Sequence, residues 1–215
     1  NSIYMAEKLN EAGVEVVGKI FAHDKISDIV DAIKFAKKYS DLVILSGGLG
    51  PTIDDLTKEA IAEYLKKDLV IDELHRKEME RKFSERGIEV LSKNLKEVSV
   101  VTDSIVFYNE PGIAPAFYID GISAFPGVPV ELKNMFPKYL DYLKKEFGLN
   151  KKLIIRDFIV WGIPESTLEE KIIGYFNDQK VFLEFLVKDY GIIVRLVTDE
   201  DKKELVEELG KKIYS

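Results

Sequence analysis

Apolar positions along the chain follow two different spacings, and the changes between them mark out the elements. Ile3, Ala6 and Leu9 recur at helical spacing up to Gly13, a helix stop signal. Val14-Glu15-Val16-Val17-Gly18-Lys19-Ile20-Phe21 is dense in β-branched residues and predicts a strand. Over 26–39 the residues Ile26, Ile29, Val30, Ile33 and Ala36 share one helix face. Leu42-Val43-Ile44-Leu45 is a short continuous apolar run, which suits a strand buried on both faces. A glycine-rich stretch follows, then a helix over 55–67. This β-α-β-loop-α alternation predicts an α/β fold with a mostly parallel sheet flanked by helices.

The middle of the chain predicts a charged helix over 72–86, strands at 104–109 and 117–120, and a tight hairpin at Gly121 into 122–125. A long helix over 128–147 carries Pro129 in its first turn, and Gly148-Leu149-Asn150 closes it. From Lys151 the order becomes strand (153–160), helix (165–176), strand (181–186), strand (192–197) and helix (202–213). That βαββα block predicts a small second α+β domain, with the boundary near Asn150 and domains of 1–150 and 151–215. Doubly wound domains begin on a central strand, and none precedes the first helix. We therefore expect the native chain to be longer at its N-terminus.

Composition narrows the function classes. The 215 residues are 46% hydrophobic and 32% charged, as in globular proteins. No apolar run approaches the ~18 residues of a membrane span, and no signal peptide is evident. Lys+Arg 31 against Asp+Glu 38 gives a net charge of −7, the wrong sign for broad binding to a nucleic-acid backbone. With no Cys and only His23 and His75, a thiol nucleophile or a Cys/His metal centre is excluded, and a metal would take oxygen ligands. We expect a cytoplasmic protein with no nucleic-acid and no membrane partner. Its Lys/Glu-rich, Cys-free composition is the bias of thermophile proteins.

The strongest chemical signal is Ser46-Gly47-Gly48-Leu49-Gly50-Pro51-Thr52-Ile53-Asp54-Asp55-Leu56-Thr57-Lys58-Glu59-Ala60. It joins the carboxyl end of an apolar strand to a helix N-terminus, where open α/β sheets place ligands. The glycines let backbone N–H groups approach a phosphate. No Gly-Lys-Ser/Thr follows, no Lys or Arg lies between Asp41 and Thr57, and the dinucleotide G-x-G-x-x-G pattern is absent. A phosphate here would face Asp54 and Asp55, a repulsion that a bridging divalent metal relieves. The competing reading is a bare glycine turn in which Asp54 or Asp55 caps the next helix.

Residues 46–60 resemble the Gly-Gly-x-Gly…Asp-x-Thr-x-Glu-Ala signature of the molybdopterin-binding fold, found in molybdenum-cofactor biosynthesis proteins and in CinA (competence/damage-inducible) proteins. The version Gly-Leu-Gly-Pro-Thr-x-Asp-Asp-Leu-Thr is similar to CinA. Asn1-Ser2 with Ala6-Glu7-Lys8-Leu9, Asp24, Asn94-Leu95-Lys96, and Asn109…Gly112-x-Ala114-Pro115 follow the family in order. So do Pro126-Gly127-Val128-Pro129-x-Glu131 and Gly162-x-x-Glu165-Ser166-x-Leu168. The chain departs at Ala116 and Leu132, where the family has Gly and Met. The family's N-terminal strand and its C-terminal nicotinamide-nucleotide amidase domain are not expected within these residues.

The resemblance implies a three-layer α/β domain of molybdopterin-binding type with a KH-like appendage. It also implies metal-dependent (Mg, Mn or Co) hydrolysis of the pyrophosphate of ADP-ribose or a related dinucleotide. On that basis Asp55 takes the catalytic and metal-positioning role, with Asp54 as an alternative or supporting ligand. The backbone of Gly47, Gly48 and Gly50 is expected to hold phosphate oxygens beside Ser46, Thr52 and Thr57. Lys96 would meet a negative leaving group or else be a solvated surface lysine. Gly127 and Glu131 would line the same cleft, although Pro129 alone is explained by helix initiation. Asn94 and Asn109 would bind base or ribose, or fix turns. The second domain's aromatics are assigned to core packing, and Glu165 stands where a nucleic-acid-binding KH clamp needs Gly. That block would be structural or dimerising, giving a homodimer or higher homo-oligomer. The alternatives are a pterin-binding, adenylyl-transferring protein and a non-catalytic nucleotide-binding module.

Overall fold

The computed structural model describes residues 1–149, 153–176 and 181–214. Helix α1 (Ser2–Glu11) ends at Gly13, whose positive φ of 78° is the left-handed conformation a helix stop needs. Helix α2 (Ile26–Ala36) buries Ile29, Val30 and Ile33, the face that its spacing marks out. Strand β1 (Val43–Ser46) leads through the glycine loop to α3 (Thr57–Leu65). Then come β2 (Leu69–Ile71), α4 (Glu73–Glu85), a 3₁₀ turn at Ser92–Lys96 and β3 (Ser99–Val101). Strands β4 (Ile105–Phe107), β5 (Ala116–Ile119) and β6 (Ile122–Phe125) precede the long helix α5 (Pro129–Phe147).

The main sheet has the order β1-β6-β5-β4. Parallel pairing joins β1 to β6, and the hairpin strands extend the sheet antiparallel, so the sheet is mixed. The β5–β6 hairpin turns on Asp120 and Gly121, with φ of 48° and 77°, the pair of left-handed residues a two-residue primed turn requires. Strand β6 is buried throughout because it faces helices on both sides. Ile122 and Ala124 belong to one cluster with Ile29, Val30, Ile33, Ala60 and Ile61 of α2 and α3. The alternate residues Ser123 and Phe125 meet α5: the Ser123 hydroxyl donates to Tyr139 Oη at 2.7 Å, and the Phe125 ring sits 5.4 Å from that of Phe136. Those contacts make three layers. The Tyr139 hydroxyl is pushed far above the usual phenol range by burial, so it stays a neutral partner.

Several expectations are revised. Residues 14–21 form no strand; Val17, Ile20 and Phe21 are exposed, Phe21 at 86%. A β-prone segment becomes a strand only in a ladder, and no ladder among the described residues includes this one. Conversely, the β2–β3 pair goes unpredicted, because three-residue strands carry too little periodicity. Helix α3 also begins two residues later than its expected start at Asp55.

The chain divides into two compact units. One comprises Asn1–Ala6 and Val16–Glu146; the other comprises Glu7–Glu15 and the residues from Phe147 onward, so the division runs through α1. In the second unit β7 (Leu153–Val160), α6 (Glu165–Ile172), β8 (Phe182–Lys188), β9 (Gly191–Asp199) and α7 (Lys203–Ile213) give the expected βαββα order. A 3₁₀ turn at Ile173–Tyr175 replaces the last part of the predicted helix. Central β9 pairs antiparallel with β7 and β8. Val194 and Leu196 share a core with Leu168, Ile172, Val206 and Leu209, so the aromatics Phe158, Phe176 and Phe185 serve packing. Trp161 and Phe182 do not; they are exposed. The expected stop and boundary residue Asn150 lies outside the described residues. No helix among the described residues is long and apolar enough to cross a membrane.

Phe136 is fully buried between Phe125 and Tyr139. Phe136→Ala is expected to cost about 3–5 kcal/mol in urea unfolding; a loss below about 1 kcal/mol would contradict this packing.

Candidate functional site

Because β1 and β6 run parallel and in register from Val43↔Ile122 to Ser46↔Phe125, their carboxyl ends open at the same sheet edge. The loops that leave them touch. Gly47 N–H donates to Phe125 O at 2.9 Å, and a Cβ on Gly127 would lie 3.4 Å from Gly47 Cα. The Asn1 side-chain amide spans both loops, donating to Ser46 Oγ at 3.0 Å and to Gly127 O at 2.8 Å. Ser46, Gly47 and Gly127 are thus brought together. Asn1 was missed as a site residue, since a polar residue at a helix start reads as a cap.

The glycine loop is held from within. Gly47 and Gly48 adopt φ of 103° and 69°, and a Cβ on Gly48 would come 2.3 Å from Thr57 Oγ1. Thr57 Oγ1 donates to Gly47 O at 2.8 Å, and its N–H donates to Gly48 O at 3.1 Å. The Asp55 carboxyl turns back on the loop, accepting from Thr52 N–H at 3.0 Å and from Thr52 Oγ1 at 2.5 Å. Thr52 Oγ1 also lies 2.5 Å from Asp54 Oδ1, so one hydroxyl proton is shared by two carboxylates. No side chain caps the start of α3, which removes the reading of Asp54 or Asp55 as its cap. Burial alone would push the Asp55 carboxyl up, but hydrogen bonds from Thr52 and Gly50, with the Lys96 charge, hold it below the usual carboxylate range. The close approach depends on Gly50, where a Cβ would sit 2.5 Å from Asp55 Oδ2.

These bonds revise the phosphate cradle. Gly47 N–H is committed to Phe125 O and Gly50 N–H to Asp55. Gly48 N–H is then the amide of the three with no internal partner among the described residues.

Two lysines stand behind the loop. Lys58 is 1% exposed, and its ammonium donates to Leu49 O at 3.0 Å and to Lys96 O. Lys96 Nζ donates to Thr52 O at 2.9 Å and pairs with Glu59 Oε1 at 3.1 Å. Lys96 is therefore fixed rather than a free surface lysine. Glu97 lies in the same electrostatic neighbourhood: burial pushes its carboxyl up, Lys58 opposes this, and Glu131 and Asp55 add to it. Neither Lys58 nor Glu97 was singled out from sequence, because charged residues in polar surroundings read as solvated.

Asn109 and Glu131 form a second group. Asn109 is 1% exposed; its side-chain amide donates to Ala114 O at 2.7 Å and Glu131 Oε2 at 2.9 Å, while Gly112 N–H donates to its Oδ1 at 3.0 Å. His75 Nε2 accepts from Asn109 N–H at 3.2 Å and its Nδ1 meets Asp72 Oδ1 at 2.6 Å, which assigns the proton to Nδ1. Asn109 is fully engaged in holding this loop to α5. Asn94 stands apart in role: its Oδ1 accepts from Leu91 N–H at 2.9 Å and caps the 3₁₀ turn. Among the described residues no three His, Asp or Glu side chains are arranged to hold a metal ion.

The model of the family described as "Probable molybdopterin binding domain" matches residues 1–145. The crystal structure of the protein CinA, of unknown function, from Thermoplasma acidophilum is 30% identical, superposes with a TM-score of 0.57, and is matched over 68% of this chain and 85% of that one. The chain belongs to the CinA family. It is also similar to a CinA-like protein of Fusobacterium nucleatum subsp. nucleatum, 49% identical over 100% of this chain and 53% of the relative. A CinA-like protein of Pseudothermotoga lettingae is 34% identical over 99% and 53%. The chain spans about half the length of the curated relatives it matches. The similarity in residues 1–145 covers every glycine-loop residue described above.

Lys58 gives the site a pH signature. Burial pushes its amine down to about 8 from 10.5. Below about pH 8 both folded and unfolded chains hold the proton; between about 8 and 10.5 only the unfolded chain does, so stability gains with rising pH. Relative to Lys58→Met, the native protein should gain about 3 kcal/mol across that window in urea unfolding. Parallel pH curves for the two proteins would contradict the burial of this amine.

Proposed function

We propose that the glycine loop binds the pyrophosphate of ADP-ribose or a related dinucleotide, and that the protein hydrolyses it with a divalent metal. The observation that carries this reading is the Asp55 carboxylate, held ionised inside a glycine loop at the carboxyl ends of two parallel strands, with Lys96 beside it. An anionic ligand at such a site needs a countercharge, and the donor set suits a hard cation. Mg²⁺ is commonly held by one or two carboxylates together with substrate phosphate oxygens, so Asp54 and Asp55, both turned on Thr52, are sufficient. When bound, the metal supplies Lewis-acid neutralisation of the pyrophosphate.

The chain's own groups divide the remaining tasks. Gly48 N–H donates to a phosphate oxygen. Asp55 and Asp54 would hold the cation and orient the attacking water, and Thr52 keeps the two carboxylates converged. Lys96 offsets charge on the leaving phosphate. Glu131 on α5 is held by Asn109, and we assign it to the edge of the same cleft. We place the reaction in the cytoplasm, in a homodimer or larger homo-oligomer.

The description "Probable molybdopterin binding domain" supports a second reading, in which the loop takes the phosphate of a pterin; adenylyl transfer is the activity we would attach to that reading. Phosphorus NMR of ADP-ribose with the protein and Mg²⁺, Mn²⁺ or Co²⁺ separates the two. The pyrophosphatase reading expects AMP and ribose 5-phosphate, none with chelator, and a loss of about 100-fold or more in Asp55→Asn. Unchanged turnover in Asp55→Asn overturns the assignment of Asp55. No products from the native protein with any metal overturns the hydrolase in favour of pterin or simple nucleotide binding.

A further inference from the structure

Lys58 is an expensive residue to keep. Taking an ammonium out of water costs several kcal/mol unless its hydrogens find partners, and an apolar side chain of similar length would avoid that cost. Its partners are main-chain carbonyls from two separate segments: Leu49 in the glycine loop and Lys96 at the end of the 3₁₀ turn. Lys96 O also accepts from Ser99 Oγ at 2.7 Å, which anchors that carbonyl to β3. From the same residue, Lys96 Nζ returns to the glycine loop at Thr52 O and to Glu59, the neighbour of Lys58 on α3.

The two lysines therefore bind the loop at Leu49 and at Thr52, on either side of Gly50, whose N–H serves Asp55. We propose that Lys58 and Lys96 form a reciprocal clamp that sets the glycine loop for its anionic ligand, with Lys58 as a positioning residue that never touches the ligand. The Lys58 ammonium is buried and faces carbonyls, so it acts through the Leu49 and Lys96 main chain. Lys96 carries the second arm and presents its charge next to Asp55. Two carbonyls at Lys58, and one carbonyl with the Glu59 carboxylate at Lys96, fix a loop whose glycines would otherwise leave it many conformations. This inference rests on the nucleotide reading of the site and adds to it the part that preorganises the loop.

A double-mutant cycle on the full chain tests it, using native protein, Lys58→Met, Lys96→Met, the double variant and Lys58→Arg. ADP-ribose affinity with Mg²⁺ is read by calorimetry, alongside KM and kcat. Each single Met variant is expected to raise Kd and KM about tenfold. The double variant should add less than about threefold to the weaker single, because either loss opens the same clamp. Lys58→Arg should recover part of the affinity, since a guanidinium can donate to the same carbonyls. A purely structural lysine would lower the melting temperature and leave Kd unmoved, which overturns the proposal; so do penalties that multiply. If Lys58→Met does not fold, Lys58→Arg with Lys96→Met completes the cycle, and multiplying penalties overturn the clamp there too. If native protein binds no ADP-ribose, the nucleotide reading fails and with it the clamp's service to a ligand; the coupling of the two lysines through the loop is then judged alone, on urea unfolding of the same variants. Non-additive stability losses then uphold it, and additive losses overturn it.

Discussion

The parallel pairing of β1 with β6 is the constraint on which the site depends. It brings two loops from distant parts of the chain to one sheet edge, where Gly127 lies against Gly47 and Asn1 links Ser46 to Gly127 O. The pairing is secured in turn by the double burial of β6, whose alternate residues meet α2 and α3 on one face and α5 on the other. A parallel strand with helices on both faces cannot slip by one residue without exchanging its two apolar sets. Register and loop position are therefore fixed together.

From that edge the chemistry follows by short steps. Glycines permit the positive φ values at Gly47 and Gly48, and the absent Cβ at Gly50 lets Asp55 close on the loop. The loop's own donors then hold Asp55 ionised. Around this anion stand Lys96, Lys58 and the raised carboxyl of Glu97, so acid and base character are separated within one small neighbourhood. The second group, Asn109 with Glu131, is built from buried hydrogen bonds that reach back through His75 to Asp72.

Much of this was legible in the sequence, and the exceptions share a cause. Helices α2, α5 and α7 declare themselves by period, and the glycine loop by composition and position. Lys58 does not, because burial of a lysine is decided by what packs over it; its carbonyl partners lie 9 and 38 residues away. Glu97 was passed over for the same reason, and Asn1 because its partners Ser46 and Gly127 lie 45 and 126 residues away. Thr57 and Gly47 were expected to meet phosphate, yet their donors serve the loop itself, and only the folded chain reveals which N–H groups are already committed. The stretch Val14–Phe21 shows the converse: local β-propensity is present and the ladder is not.

The central claim is that an anionic ligand docks on the glycine loop through the amide left without an internal partner. Titration of ADP-ribose with Mg²⁺ into isotopically labelled protein, followed by amide NMR, tests that claim most directly. The account predicts the largest shift at Gly48 N–H, with smaller shifts at Thr52 and Asp55. Saturable binding whose shifts cluster away from residues 46–57, or no shift at all, would contradict it.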